Sequence, residues 1–258
     1  MDWKEIAGNW VLVPIRPRGI VHFLGGAFVA TAPHITYRLL LEALAEEGYM
    51  VIATPFINTF DHSAIAQQVL RNFERGLIRL EDRGIIGSGY LPIYGMGHSM
   101  GCKLHLLIGS MFPVERAGNI FISFNNFAAR DAVPLIQQLN TTFANTTLVT
   151  EFTPTPAQTN DMIRASYNVR RNLVIKFTND TLDQSLGLNE VLEQRFPGMV
   201  VTQILPGTHL TPLGQDIKWQ VGTDFNPFDA VGQWFRQEIL RDFNQLKKTV
   251  LFWLNPLR

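Results

Sequence analysis

Short apolar runs alternate with longer amphipathic ones along the chain. The runs Trp10–Ile15, Ile20–Leu24, Met50–Thr54, Leu91–Tyr94, Asn119–Phe124, Leu173–Phe177 and Met199–Leu205 are rich in Val, Ile and Phe. Several lack polar–apolar alternation, the pattern of strands buried on both faces. Helical patterns lie between them. His34–Glu47 puts Leu40, Ala43 and Leu44 on one side and ends at Gly48, a C-cap residue. Asp61–Glu81 opens with Asp-His-Ser, which is N-cap chemistry, and carries Ile65, Val69, Phe73 and Leu77 at a four-residue spacing. Met100–Met111 is apolar nearly all round and predicts a buried helix. Gly187–Phe196 is shorter, and Ala230–Leu254 carries Trp234, Ile239, Phe243, Leu246 and Val250 on one stripe. Strands alternating with helices predict an α/β fold with a mostly parallel central sheet flanked by helices. Residues 125–171 break the rhythm with Thr and Asn clusters and the run Phe-Thr-Pro-Thr-Pro at 152–156. Two short helices are predicted there, over Ala132–Leu139 and Thr159–Tyr167. About 45 residues make a marginal core, so this segment reads as a small cap insertion over one end of the sheet, within a single domain spanning 1–258.

Composition narrows the class. The chain has 258 residues, of which 46 % are apolar, a globular composition. Lys+Arg and Asp+Glu are 22 each, and no long basic run occurs, which argues against an electrostatic nucleic-acid binder. The one cysteine, Cys102, excludes an internal disulfide framework and a Cys-rich metal site. No His/Asp/Glu cluster has ligand spacing, so neither a metal nor another cofactor is expected. No apolar run is long enough for a transmembrane segment. Asp2, Lys4 and Glu5 stand where a signal peptide has its apolar core. The expectation is a soluble protein of the cytoplasm. The segment VLFWLNPLR, with Trp253 reading as exposed near Lys247, Lys248 and Arg258, would suit a peripheral membrane contact. A stripe packed on the sheet is the preferred reading.

The chemistry concentrates at 91–105, LPIYGMGHSMGCKLH. Within it Gly97-His98-Ser99-Met100-Gly101 follows a strand run and precedes an apolar helix. At a sharp strand-to-helix turn a serine is held in a strained conformation with its hydroxyl above the sheet, and close approach of the flanking residues requires glycine. The following helix N-terminus favours developing negative charge. A dinucleotide fingerprint fits poorly. The spacing of Gly95, Gly97 and Gly101 is off by one, the motif is not in the first strand, and no suitable acidic residue follows. Cys102 lies inside the helix and reads as a core thiol.

A nucleophilic serine needs a base and an acid. The histidines are 22, 34, 62, 98, 105 and 209. His22 lies in a strand, His105 in the buried helix, and His98 in the turn itself, pointing away from its neighbour's hydroxyl. His34 and His62 open helices near the carboxyl edge of the sheet. His209, in Leu205-Pro206-Gly207-Thr208-His209, sits on the loop after the last strand, at the edge where α/β sites assemble. It is the preferred base. The run Leu173–Phe177 leads into Thr178-Asn179-Asp180-Thr181-Leu182-Asp183. Asp180 is preferred as acid because it is nearer the strand end, with Asp183 the alternative and better suited to cap a helix beginning near Ser185. The oxyanion needs two backbone N–H groups. Met100 supplies one; the loop Phe23–Phe28 supplies the other, with Ala27 preferred and Phe28 next.

The Gly97–Gly101 motif, the FLGGAF loop and the chain order Ser99, Asp180, His209 resemble an α/β-hydrolase over nearly the whole chain. FLGGAF followed by ITYRLLLEAL and IKFTNDTLDQS is similar to an uncharacterised hydrolase-like family of that superfamily, found mainly in photosynthetic organisms, cyanobacteria and plastids included. The resemblance implies an α/β-hydrolase fold, Ser99 as nucleophile, His209 as base, Asp180 as acid, and the N–H groups of Met100 and Ala27 at the oxyanion. It implies a serine hydrolase that cleaves a small ester or lipid-acyl substrate through an acyl-enzyme. An acyltransferase with the same triad and a catalytically silent binding protein are the alternatives. Two departures stand out. Gly25-Gly26 replaces the usual His-Gly before the oxyanion residue, and Phe177-Thr178-Asn179 replaces the usual glycine before the acid. Phe127, Phe143, Phe152, Met162 and Tyr167 of the insertion read first as its own packing and second as an acyl pocket.

Overall fold

The computed structural model describes residues 1–27, 29–87, 89–129, 151–213 and 227–255, with side chains from 240 onward in the last stretch. The strands are β1 (Lys4–Ile6), β2 (Asn9–Leu12), β3 (Gly19–Leu24), β4 (Tyr49–Ala53), β5 (Ile93–His98), β6 (Gly118–Ile122), β7 (Asn172–Phe177) and β8 (Val200–Leu205). The helices are α1 (Pro33–Thr36), α2 (Arg38–Glu46), α3 (His62–Asp82), α4 (Met100–Met111), α5 (Pro156–Ser166), α6 (Ser185–Arg195) and α7 (Pro227–Leu254).

One eight-stranded sheet runs in the order β1-β2-β4-β3-β5-β6-β7-β8. Strand β2 is antiparallel to β1 and β4, and every other pairing is parallel. The central strands are buried along their length because helices cover both faces. On one face Val21, Phe23, Val51, Met96, Ile120 and Ile175 pack with Leu40, Leu44, Phe243, Leu246 and Val250 of α2 and α7. On the other, Leu24 packs with α3 and α4, Ile20, Met50 and Ile52 with Phe73 of α3, and Phe121 and Val174 with α4, α5 and α6. Alternate residues thus go to opposite helical layers, the two-residue period of a strand expressed as two cores.

Several boundaries differ from those read in the sequence. Strand β1 carries too few apolar residues to register as a run; it is held by the hairpin to β2. The stretch His34–Glu47 is two helices, with Tyr37 at the break (φ −110°, ψ 20°). Trp253 is buried in the core at 7 % exposure, and Phe252 is the exposed aromatic at 67 %. Trp253 continues the stripe of Phe243, Leu246 and Val250, as the preferred packed reading of this segment expects. Of the insertion's large side chains, Tyr167 is buried with Cys102, Phe121 and Val174, and Met162 packs against the cluster that Leu24 forms with α3 and α4. The predicted helix Ala132–Leu139 and Phe143 lie outside the described residues, as do the side chains of Trp234 and Ile239. No helix among the described residues is long and apolar enough to cross a membrane.

Burial, the largest cause in each case, pushes the imidazoles of His62, His98 and His105 down to about 3. Unfolded, each takes up a proton below about 6.5. The folded pKa lies below the unfolded one, so their stabilisation is complete above about pH 6.5 and drains away as pH falls toward 3. The thermal midpoint should fall steeply between roughly pH 6 and pH 4, with about three or more protons taken up on unfolding at pH 5, His22 being lowered in the same way. Calorimetry across this range checks it; a midpoint unchanged down to about pH 4.5 would contradict it.

Candidate active site

The site is built on the carboxyl ends of β3, β5, β6, β7 and β8. Between β5 and α4 the chain turns at Ser99, whose backbone is left-handed (φ 55°, ψ −120°). Such a conformation costs on the order of 1–3 kcal/mol for a non-glycine residue and persists only where its surroundings enforce it. They do so here. The Ser99 N–H donates to the Ile122 carbonyl at 2.9 Å, and the Ser99 carbonyl accepts from Cys102 N at 3.0 Å. A Cβ at Gly97 would lie 2.5 Å from Cys102 N, and one at Gly101 2.0 Å from the Leu24 carbonyl oxygen. The glycines of the motif are steric requirements of this crossing. Cys102 is fully buried, its thiol donates to the carbonyls of Gly97 and Ile122, and burial pushes its pKa up.

Ser99 is 8 % exposed, less open than a surface turn would be. Its hydroxyl oxygen accepts a hydrogen bond from Asn125 Nδ2 at 2.9 Å. Asn125 follows β6 and was not singled out in the sequence. Only its position just past a strand end, at the edge where α/β sites assemble, could have marked it. Among the described residues no hydrogen bond joins Ser99 to His209.

Asp180 and His209 are brought together. His209 Nδ1 donates to Asp180 Oδ2 at 2.9 Å, and Asp180 Oδ1 accepts from Leu182 N at 2.9 Å. The two loops that carry them are tied by their backbones, with Asn179 N donating to the Gly207 carbonyl at 3.0 Å. Burial alone would raise the Asp180 pKa, but the hydrogen bond and charge of His209 and the Leu182 amide outweigh it and hold the carboxyl below its ordinary value. With the proton on Nδ1 fixed by this carboxylate, His209 Nε2 keeps the lone pair that accepts a proton. Asp183 is elsewhere. It accepts from the Ser185 amide and hydroxyl at the start of α6 and pairs with Lys176 at 3.3 Å.

The amide of Met100 begins α4, and that of Ala27 lies on the loop after β3; neither has a hydrogen-bond partner among the described residues. Phe28 lies outside them. The neighbouring Gly26 N–H is occupied, donating to the Tyr37 hydroxyl at 2.8 Å. His22 stacks on Phe73 and bonds Thr54, and His105 bonds the Met96 carbonyl. His34 stacks on Trp10, and His62 on Phe152. None of the four hydrogen-bonds Ser99 or Asp180 among the described residues. No group of three or more His, Cys, Asp or Glu among the described residues could hold a metal ion.

Strand order, the elbow at Ser99 and the loops gathered at one sheet edge define an α/β-hydrolase fold. The same fold is found in solved structures of low sequence identity. The fluorophosphonate-binding serine hydrolase FphF of Staphylococcus aureus matches with a TM-score of 0.56 at 15 % identity, over 91 % of each chain. Esterase B of Lactobacillus rhamnosis matches with a TM-score of 0.55 at 15 % identity, over 93 % of this chain and 81 % of its own. TT1662 of Thermus thermophilus matches with a TM-score of 0.52 at 18 % identity, over 93 % and 99 %. The chain itself belongs to the family of proteins of unknown function DUF1350, whose model matches residues 2–256. No curated protein matches it in sequence.

Proposed function

We propose that the chain is a serine hydrolase that cleaves an ester or lipid-acyl substrate through an acyl-enzyme on Ser99. The observation that carries this reading is the left-handed Ser99 at the strand–helix crossing, on the same sheet edge as a buried Asp180 hydrogen-bonded to a half-buried His209. His209 Nε2 takes the Ser99 proton as Oγ attacks the acyl carbon. The oxyanion forms beside the Met100 and Ala27 amides. The proton then passes to the leaving alcohol as the acyl–oxygen bond breaks, and water, activated by the same imidazole, releases the acid. Asp180 holds the imidazole tautomer and stabilises its protonated form. In this reading the Ser99–His209 contact tightens when substrate displaces the Asn125 amide, as such contacts commonly do on binding. An acyltransferase would use the same steps with an alcohol or thiol in place of water.

The insertion 125–171 is part of the proposal as a cap on a single domain. Its two limbs are joined beside α4, with Asn126 Nδ2 donating to the Pro156 carbonyl, Ala129 N to Glu151 Oε1, and Lys103 Nζ to the Pro154 carbonyl. We further propose that the chain belongs to the hydrolase-like family found mainly in photosynthetic organisms, on the FLGGAF, ITYRLLLEAL and IKFTNDTLDQS segments.

A silent binding protein is the second reading. One observation favours it, the engagement of Ser99 Oγ by Asn125 rather than by His209. A fluorophosphonate probe separates the two, because it reacts only with an activated serine. Intact mass and site mapping should show one adduct, on Ser99. A folded sample that takes up no probe supports the binding protein.

A further inference from the structure

Two buried side chains next to the site have no part in the steps above, yet their hydrogen bonds connect its loops. His98 ends β5, immediately before Ser99, and is 2 % exposed; Tyr37, at the break between α1 and α2, is fully buried. His98 Nε2 lies 3.0 Å from the carbonyl oxygen of His209, His98 Nδ1 lies 2.8 Å from the Tyr37 hydroxyl, and that hydroxyl lies 2.8 Å from the Gly26 amide.

The direction of every bond in this relay is fixed. A carbonyl only accepts, so His98 Nε2 carries the proton. Burial keeps the ring neutral, its pKa pushed to about 3, so Nδ1 presents a lone pair. The Tyr37 hydroxyl must then donate to Nδ1, and its oxygen accepts from Gly26 N–H. Donors and acceptors match from end to end, and no other arrangement satisfies all of them. The relay begins one residue before Ala27, passes through the residue before Ser99, and ends on the backbone of the candidate base. The loop after β3 is fitted closely to it. A Cβ at position 25 would meet the Tyr37 ring at 2.8 Å, so the loop and the ring fit together only with glycine there.

We propose that Tyr37 and His98 are positioning residues that hold the oxyanion loop and the base in register with each other and with Ser99; the proposal rests on the serine-hydrolase reading. Neither bonds Ser99 Oγ, so neither is a catalytic residue. A pair that merely fills the core would need only bulk, which Tyr37→Phe keeps, including the edge contact of the ring with Phe23 at 4.7 Å.

The test compares the wild type with Tyr37→Phe, His98→Leu and His98→Gln. The readouts are the rate of fluorophosphonate labelling and the kcat and KM for a short-chain ester, with circular dichroism confirming the fold. Misplacement of reacting groups by an ångström can cost about 100-fold. Tyr37→Phe and His98→Leu should therefore lower the labelling rate and kcat by about 10- to 100-fold while KM stays within about twofold. Glutamine carries both an acceptor and a donor, so His98→Gln should recover most of the loss. The double variant Tyr37→Phe/His98→Leu should lose no more than the worse single variant, since one relay is broken only once. If the wild type labels and Tyr37→Phe labels equally fast, the positioning role falls and the serine reading stands. Impairment of His98→Gln equal to that of His98→Leu also overturns the role. A folded wild type that does not label overturns both.

Discussion

Ser99→Ala should take up no fluorophosphonate and lose ester hydrolysis by about 10⁶-fold, the scale of loss seen when a triad nucleophile is removed. The fold should survive. Ser99 accepts one side-chain hydrogen bond, from Asn125, and its backbone is held by Ile122 and Cys102 whatever the side chain. Losing Oγ leaves a partly buried amide unpaired, a cost of about 1 kcal/mol. That corresponds to roughly 2–4 °C in the thermal midpoint for a chain of this size. Kinetics, probe labelling and calorimetry on one preparation check both halves. A hydrolysis rate near the wild type in Ser99→Ala would remove Ser99 from the reaction.

The second large effect separates two aspartates three residues apart. Asp180→Asn keeps the size of the side chain but removes the charge that opposes a protonated His209. It also lets the imidazole adopt the wrong tautomer, so kcat should fall by about 10⁴-fold. Asp183→Asn should leave kcat within about threefold, because Asp183 faces Ser185 and Lys176 rather than His209. It should instead cost on the order of 1–2 kcal/mol of stability through the weakened start of α6. Paired kcat and thermal-midpoint measurements check this. The reverse pattern would move the acid role to Asp183.

The sequence separated these two aspartates by their distance from a strand end and by the capping role open to Asp183, and the hydrogen bond from His209 goes to Asp180. Ser99, Asp180 and His209 stood out for a shared reason: each lies just past an apolar run, and the turn at Ser99 imposes a glycine spacing that is local in the chain. The central strands and α4 were legible because burial on both faces, or all round, leaves a continuous apolar signature. Tyr37, His98 and Asn125 were not legible in their roles. Their partners lie 61, 111 and 26 residues away, and nothing local in a tyrosine inside an amphipathic run marks it as a hydrogen-bond relay. The same non-local cause hid the helix break at Tyr37. Trp253 continues the stripe of Phe243, Leu246 and Val250 and is held inward by the Arg171 guanidinium, 3.9 Å over the indole ring, and by Tyr94, whereas Phe252 lies about 100° round the helix and faces out.

The sheet order gives the site a particular vulnerability. Strand β8 pairs only with β7 among the described residues, and half of its length faces outward. The loop that leaves it carries His209, whereas Ser99 leaves β5, which has a neighbour on each side. An edge strand detaches at lower free energy than a central one. Heat or denaturant should therefore remove the proposed base while the strand of the proposed nucleophile is still paired. Inactivation would then precede loss of the sheet, and an early-opening species would keep its elbow intact with no base beside it.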